Sequence, residues 1–159
     1  MIHLQLVDAS NWREAMGLAV RPEQQRFIAD NLPIVAVALS KAYIRPGGLT
    51  WLPYAIYNGE RMVGFVEIAF AANGRSPCTI YHFFIDYRYQ GRGYSKPAML
   101  AVLPLIRQVQ HQVTGIELVV HPENLTAQRL YEGVGFRRTG EERWGEWVYW
   151  LDVDEAARE

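Results

Sequence analysis

The sequence predicts an α/β (α+β) fold in which helices flank a mixed, mostly antiparallel central sheet of about seven strands. Three observations carry this prediction. Short runs rich in β-branched and aromatic residues recur near the start, between residues 52 and 85, and again after residue 115. Helical periodicity separates these blocks, most clearly after residue 95 and after residue 124. Turn-forming residues mark the changes, among them Pro33, Pro46-Gly47-Gly48, Asn58-Gly59 and the Gly91/Gly93 pair.

Taken in order, Ile2 to Val7 alternates apolar and polar residues as a strand does. Asp8 or Ser10 offers an N-cap for a short helix over Asn11 to Leu18. Pro22 opens a second helical stretch carrying Phe27 and Ile28. Pro33 breaks it, and a third piece runs to about Tyr43. Leu52 to Tyr57 and Met62 to Phe70 are strands joined at Asn58-Gly59, residues suited to the positive φ of a tight primed turn. Cys78 to Ile85 is the next strand. Lys96 to Val113 reads as a long helix with Leu100, Leu103, Ile106 and Val109 as its apolar face, kinked at Pro104 and ended by Gly115. Ile116 to Val120 is a buried strand. Asn124 to Val134 is a helix with Ala127, Leu130, Tyr131 and Val134 on one face and Gly135 at its stop. Phe136 to Glu142 and Trp147 to Leu151 form a closing hairpin.

No repeat, linker or low-complexity tract divides the chain, so residues 1–159 are expected to form one domain. Its composition is 50% hydrophobic and 21% charged, as in ordinary globular proteins. A net charge of −1 gives no global attraction to nucleic acid or to a membrane surface. Cys78 is the single cysteine, which excludes an internal disulfide and is read as a small buried apolar residue. The first residues lack the pattern of a signal peptide, and the run Ile34 to Leu39 is too short to span a bilayer. The expected location is therefore cytoplasmic. His3, His111 and His121 show no ligand spacing, so no metal is expected.

The stretch DYRYQGRGYSKPAM, Asp86 to Met99, sets two glycines and several basic residues between a strand and a helix. Gly91 and Gly93 are too close for a Walker loop, and Lys96 stands where a dinucleotide fingerprint needs its third glycine. What remains is Q-x-x-G-x-S, Gln90 to Ser95. Small residues there let successive backbone N–H groups face one pyrophosphate, and the new helix adds its positive end. Arg88, Arg92 and Lys96 add charge at the rim. The competing reading is a solvated tight turn with incidental basic residues. Further on, Asn124 and Tyr131 are seven residues apart, close to two helical turns, which puts them on one face about 10 Å apart. One could hold a long ligand while the other works at its reactive end. A capping Asn and a core Tyr are the alternative.

Together these stretches resemble the GCN5-related N-acetyltransferase (GNAT) superfamily. Gln90, Gly93 and Ser95 stand at the marked positions of its [QR]-x-x-G-x-[GA] motif, with Ser95 a mild departure. Asn124, Tyr131 and Gly135-Phe136 match its later motif, and the element order matches over nearly the whole chain. NWREAMGLAVRPEQQRFIADN with FFIDYRYQGRGYSKPAM looks like the bacterial spermine/spermidine (diamine) branch. The resemblance implies an acetyl-CoA-dependent enzyme that acetylates a primary amine of a small molecule, polyamines favoured. An amine of another class (a protein N-terminus, lysine, amino acid or aminoglycoside) and a non-catalytic acetyl-CoA-binding module are the alternatives.

It implies a cleft where the strand ending at Phe83 to Ile85 splays from the strand at Ile116 to Val120. Pantetheine would lie as a pseudo-strand along Phe83, Phe84 and Ile85. The pyrophosphate would sit on the amides of Gly91, Arg92, Gly93, Tyr94, Ser95 and Lys96, beside Gln90. Asn124 would hydrogen-bond the pantetheine, and Tyr131 would reach the thioester sulfur as general acid. The base is open. Eukaryotic polyamine acetyltransferases carry a glutamate two positions before the aromatic pair, and here Tyr81 stands there. His82, Glu67 and a water chain are the candidates. A polyamine needs carboxylates along a groove; Glu14, Glu23 and Asp30 are the expected ones, with Glu146 as a further possibility. Tyr43, Trp51 and Tyr54 could form a cation–π wall or simply core. Trp144, Trp147 and Trp150 offer either a homodimer face or core.

Overall fold

The computed structural model describes residues 1–29 and 33–153. One seven-stranded sheet runs in the order β1-β2-β3-β4-β5-β7-β6. Its strands are β1 (Ile2–Leu6), β2 (Thr50–Asn58), β3 (Arg61–Phe70), β4 (Ser76–Ile85), β5 (Val113–Val120), β6 (Arg137–Arg143) and β7 (Glu146–Asp152). The helices are α1 (Trp12–Met16), α2 (Gln25–Ile28), α3 (Ile34–Ile44), α4 (Ser95–Val109) and α5 (Leu125–Val134). All neighbouring strands are antiparallel except β4 and β5, which pair in parallel across the α4 crossover.

Helices cover both faces of the central strands, which is why β3 is buried along nearly its whole length. On one face Ala15, Leu18, Ile34, Val35 and Ala38 pack on Phe65 and Phe84. On the other, Met99, Val102, Leu103 and Ile106 of α4 meet Val66, Ile68, Ile80 and Ile116. At the β6 edge the exposed sequence RRTGEER discourages further strand pairing by charge.

Four sequence readings are corrected here. The long helix stops at Val109, with Gln110 as its C-cap, and does not reach Gly115. Gly115 lies inside β5, where a Cβ would collide with the Trp150 ring, so its role is close packing. The apolar face of α4 is Met99, Val102, Leu103 and Ile106, spaced three and four apart; a strict three-residue spacing drifts off the face and leaves Leu100 exposed. The β2–β3 turn is Gly59-Glu60, one residue later than expected. Asn58 pairs with Arg61, and Gly59, with φ +62°, supplies the turn's positive-φ position, Glu60 having none. Cys78 is buried in the core, as expected.

Candidate active site

β4 is irregular where it faces β3. Phe84 pairs with Phe65 and Tyr81 with Glu67, so His82 and Phe83 together face Val66 alone. This is a β-bulge, and His82 carries it in a left-handed conformation, φ +53°, uncommon for any residue but glycine. On the other edge, β4 pairs with β5 only as far as Thr79↔Glu117. Beyond that point the two parallel strands part. A cavity of about 930 Å³ opens there, walled by Ile80 to Ile85 on one side and Leu118 to Val120 on the other.

Gln90, Gly91 and Ser95 close one end of this cavity, and Asn124, Ala127 and Tyr131 of α5 line its wall. Gly91 and Gly93 both take positive φ, +76° and +79°. Helix α4 begins at Ser95 with no side-chain cap. Among the described residues, no backbone N–H from Gly91 to Lys96 donates to a protein acceptor. These are the free donors of a helix N-terminus, gathered at the cavity's end. The residues therefore fit a pyrophosphate. Arg92, Gly93, Tyr94 and Lys96 do not line the cavity. The Tyr94 hydroxyl accepts from Asn58 Nδ2 at 3.1 Å and its ring packs on the core.

The rim charge expected from Arg88 is spent elsewhere. Its guanidinium bonds the fully buried Asp86 carboxylate at 2.7 Å, and this ion pair holds Arg88 more firmly protonated. Asp86 also accepts from the N–H groups of Ala19 and Arg88, both at 3.0 Å. Gln90 Nε2 donates to the Ile85 carbonyl at 3.0 Å and pairs with the amide of Gln24. Asp86 and Gln90 thus fasten the glycine corner to β4 and to the segment before α2. The sequence carries no signal for the first of these, because the burial of Asp86 arises only in the packed corner.

Asn124 caps α5, its Oδ1 accepting from the Ala127 N–H at 3.2 Å, and it still faces the cavity. Tyr131 is 8% exposed and packs against Phe83 and Phe136. Burial alone raises its pKa, so the phenol keeps its proton at neutral pH. Gly135, with φ +117°, ends the helix, as its sequence position suggested.

Around the bulge lies a second group of side chains. His82 Nδ1 is 2.9 Å from the Ile28 carbonyl, which can only accept, so Nδ1 carries the proton. The Nε2 lone pair then meets Lys41 Nζ at 2.9 Å. Lys41 Nζ also sits over the rings of Trp51 and Tyr81, at 5.2 and 5.0 Å. Both Lys41 and His82 line the cavity. Sequence reasoning passed over Lys41, although it is the one charge on the apolar helix IVAVALSKAYI.

Glu67 lies close enough to Lys41 to feel its charge, but it is 0% exposed and outside the cavity wall. Neither carboxyl oxygen has a hydrogen-bond partner among the described residues. Burial pushes its pKa up to about 8, against a smaller opposing effect of Lys41.

The expected acceptor carboxylates are placed differently. Glu14 and Glu23 are exposed and do not line the cavity, and Asp30 lies outside the described residues. Two acids do line it: Glu146, and Glu123, which forms an ion pair with Arg26 at 2.7 Å. Of the expected aromatic wall, Trp51 and Tyr54 are buried and Tyr43 is exposed. The three late tryptophans do not form one cluster. Trp144 is 83% exposed at the β6–β7 turn and lines the cavity. Trp147 lies under the Arg138 guanidinium, and Trp150 packs on Gly115.

A parallel pair that parts over a cavity, with helix-start amides at one end and a phenol in its wall, has the shape and donors that a transferase of a long phosphorylated donor requires. Residues 39–154 match the acetyltransferase (GNAT) domain family, and the chain belongs to that family. It is an N-acetyltransferase of the GNAT type. It is 29% identical over 147 residues to a spermine/spermidine N(1)-acetyltransferase of Bacillus subtilis, covering 88% of this chain and 90% of that one. Its fold matches the crystal structure of spermidine N-acetyltransferase from Vibrio cholerae in complex with CoA and spermine, with TM-score 0.74 and 17% identity over 98% of each chain. An aminoglycoside acetyltransferase in complex with coenzyme A gives a TM-score of 0.78 at 18% identity, over 99% of this chain and 98% of that one. Among the described residues, no helix is long and apolar enough to cross a membrane.

Proposed function

We propose that this single-domain chain transfers the acetyl group of acetyl-CoA directly to a primary amine of a small molecule, with a diamine or polyamine as the favoured acceptor. The observation that carries the reading is the separation of β4 from β5 after Thr79 and Glu117, which leaves a cavity running from the free amides of the glycine corner to Tyr131. The pyrophosphate binds the amides of Gly91 to Lys96. The pantetheine follows the open edge of β4 along Phe83, Phe84 and Ile85, past Asn124. The relative from Bacillus subtilis supports the choice of acceptor by its name.

An alkylammonium, with pKa ~10.4, must lose its proton before it attacks. His82 Nε2 takes this role better than Glu67. The imidazole faces the cavity with a fixed tautomer, whereas the Glu67 carboxyl is buried behind the wall and holds its own proton at neutral pH. The amine nitrogen bonds to the acetyl carbon, and a backbone N–H near Phe83 stabilises the oxyanion. The carbon–sulfur bond then breaks, and Tyr131 gives its proton to the departing sulfur. Glu146 offers one counter-charge for a second amine.

The test is an acceptor panel of spermine, spermidine, short diamines, amino acids, peptides and an aminoglycoside, followed by free-thiol release beside a hydrolysis blank. Saturable release with the diamines and polyamines is the expected result. Release confined to amino acids or peptides would overturn the acceptor class, and release with no amine would overturn the transfer.

A further inference from the structure

The chain contains only two lysines, Lys41 and Lys96, against fourteen arginines. One of the two places its amine inside the cavity. Lys41 Nζ lies 2.9 Å from His82 Nε2, and the Nδ1 bond to the Ile28 carbonyl orients that lone pair toward it. The rings of Trp51 and Tyr81 flank the same nitrogen. A primary amine between aromatic faces, with a proton acceptor at hydrogen-bond distance, is the arrangement an external acceptor amine requires in this cavity.

We propose that Lys41 is a self-acetylation site: the enzyme acetylates its own Lys41 Nζ when acetyl-CoA is bound and no acceptor amine is present. The proposal rests on the reading of the cavity as the acetyl-CoA cleft. The step balances without a further reagent. The Lys41 ammonium passes a proton to His82 Nε2, and Nζ bonds to the acetyl carbon. The carbon–sulfur bond of the thioester breaks, coenzyme A leaves as the thiol with a proton from Tyr131, and the second proton that Nζ loses as the amide forms restores the Tyr131 phenol. The product is an uncharged amide at Lys41, held in the place an acceptor amine would take.

Lys96 and the chain's amino terminus serve as internal controls. Lys96 is exposed on the first turn of α4 and lies outside the cavity lining. The test incubates the purified chain with acetyl-CoA and no acceptor, follows the intact mass, and maps the modified residue by peptide digestion. The same chain unfolded in urea sets the rate of purely chemical acetylation. The expected result is a gain of one acetyl group per folded chain at Lys41, faster than in the unfolded chain and at a rate independent of protein concentration. Lys41→Arg should abolish the gain. His82→Asn should slow it by roughly 10²-fold. Asn tolerates the left-handed backbone that His82 occupies, so the bulge is kept, and circular dichroism checks the fold of both variants.

No gain above the unfolded control, a gain at Lys96 or the amino terminus alone, or an equal gain in Lys41→Arg would each overturn the proposal. Calorimetric titration with acetyl-CoA separates the two levels. Tight binding without acetylation at Lys41 removes self-acetylation only, whereas absence of both removes the reading of the cleft as well.

Discussion

Thr79 and Glu117 are the last residues that β4 and β5 pair before the two strands part. The Thr79 hydroxyl also donates to the Glu117 carboxylate at 3.4 Å, and Glu117 is held in turn by Arg143 of β6. The end of the ladder is thereby tied to the outer hairpin. Just beyond it β4 carries the bulge at His82, and its edge toward β5 is no longer paired where the cavity opens. Backbone groups on such an edge require partners, and the proposed pantetheine arm, being peptide-like, would supply them. The parting of two strands thus connects an irregularity of the sheet to the proposed donor site.

Tyr131→Phe tests the acid. The ring contacts with Phe83 and Phe136 survive the change, and the hydroxyl makes no hydrogen bond among the described residues, so the fold should hold. Turnover should fall roughly 10²–10⁴-fold, with the KM for acetyl-CoA little changed. Steady-state thiol release measures both. Parent-like turnover with every good acceptor would remove Tyr131 from the mechanism.

Gly93→Val tests the corner. Position 93 has φ +79°, where a β-branched residue is strained by about 1–2 kcal/mol, and re-forming the loop would scatter the free amides. The KM for acetyl-CoA should rise about tenfold or more, in line with the loss of 1.4 kcal/mol or more of pyrophosphate binding. Acetyl-pantetheine, which has no pyrophosphate, should be used equally by variant and parent. An equal defect with both donors would mean that the corner acts through something other than phosphate.

The order of strands and helices could be read from the sequence because it rests on local periodicity and turn residues, and each of the seven strands and the later helices carries one or both. The glycine corner and the pair Asn124/Tyr131 could be read for the same reason: each is a fixed spacing along one segment. What could not be read depends on contacts across the sheet. The bulge at His82 follows from a mismatch of register between β3 and β4, which neither strand's sequence displays. Lys41 meets His82 across 41 positions of chain, and Arg88 is drawn to Asp86 by a carboxylate whose burial only the packed corner reveals. Glu14 and Glu23 stand exposed and off the cavity lining, because acidic residues near one another in sequence can face outward from their own helical turns.

Trp144→Gly tests the exposed turn. Trp144 and Gly145 form the two-residue β6–β7 loop, both with positive φ, +53° and +78°, as a type I′ turn requires. A tryptophan there is strained by about 1–2 kcal/mol, and glycine is not. Chemical denaturation should show the variant more stable by roughly that amount. Because the indole lines the cavity mouth, the KM for the acceptor should rise while the KM for acetyl-CoA stays unchanged. A variant no more stable than the parent would show that the turn is not strained.

Glu67→Gln tests the buried carboxyl through its pH dependence. Unfolded, Glu67 has a pKa near the model-peptide value of ~4.3, and folded it is pushed up to about 8. The folded chain therefore holds a proton that the unfolded chain gives up. The stabilisation from this proton is complete below the unfolded value and is lost as pH rises toward the folded one, by about 1.4 kcal/mol per pH unit at most. Glutamine does not titrate, so the variant's stability lacks this slope. Urea unfolding at about pH 5, 6, 7 and 8 should give a gap that grows with pH in favour of the variant, a few kcal/mol at the upper end. Turnover should stay within a few-fold of the parent, because the carboxyl stands outside the cavity wall and His82 is the proposed proton acceptor. Parallel stability curves would show that Glu67 is ionised in the fold, and a loss of turnover as large as that of His82→Asn would return Glu67 to the role of base.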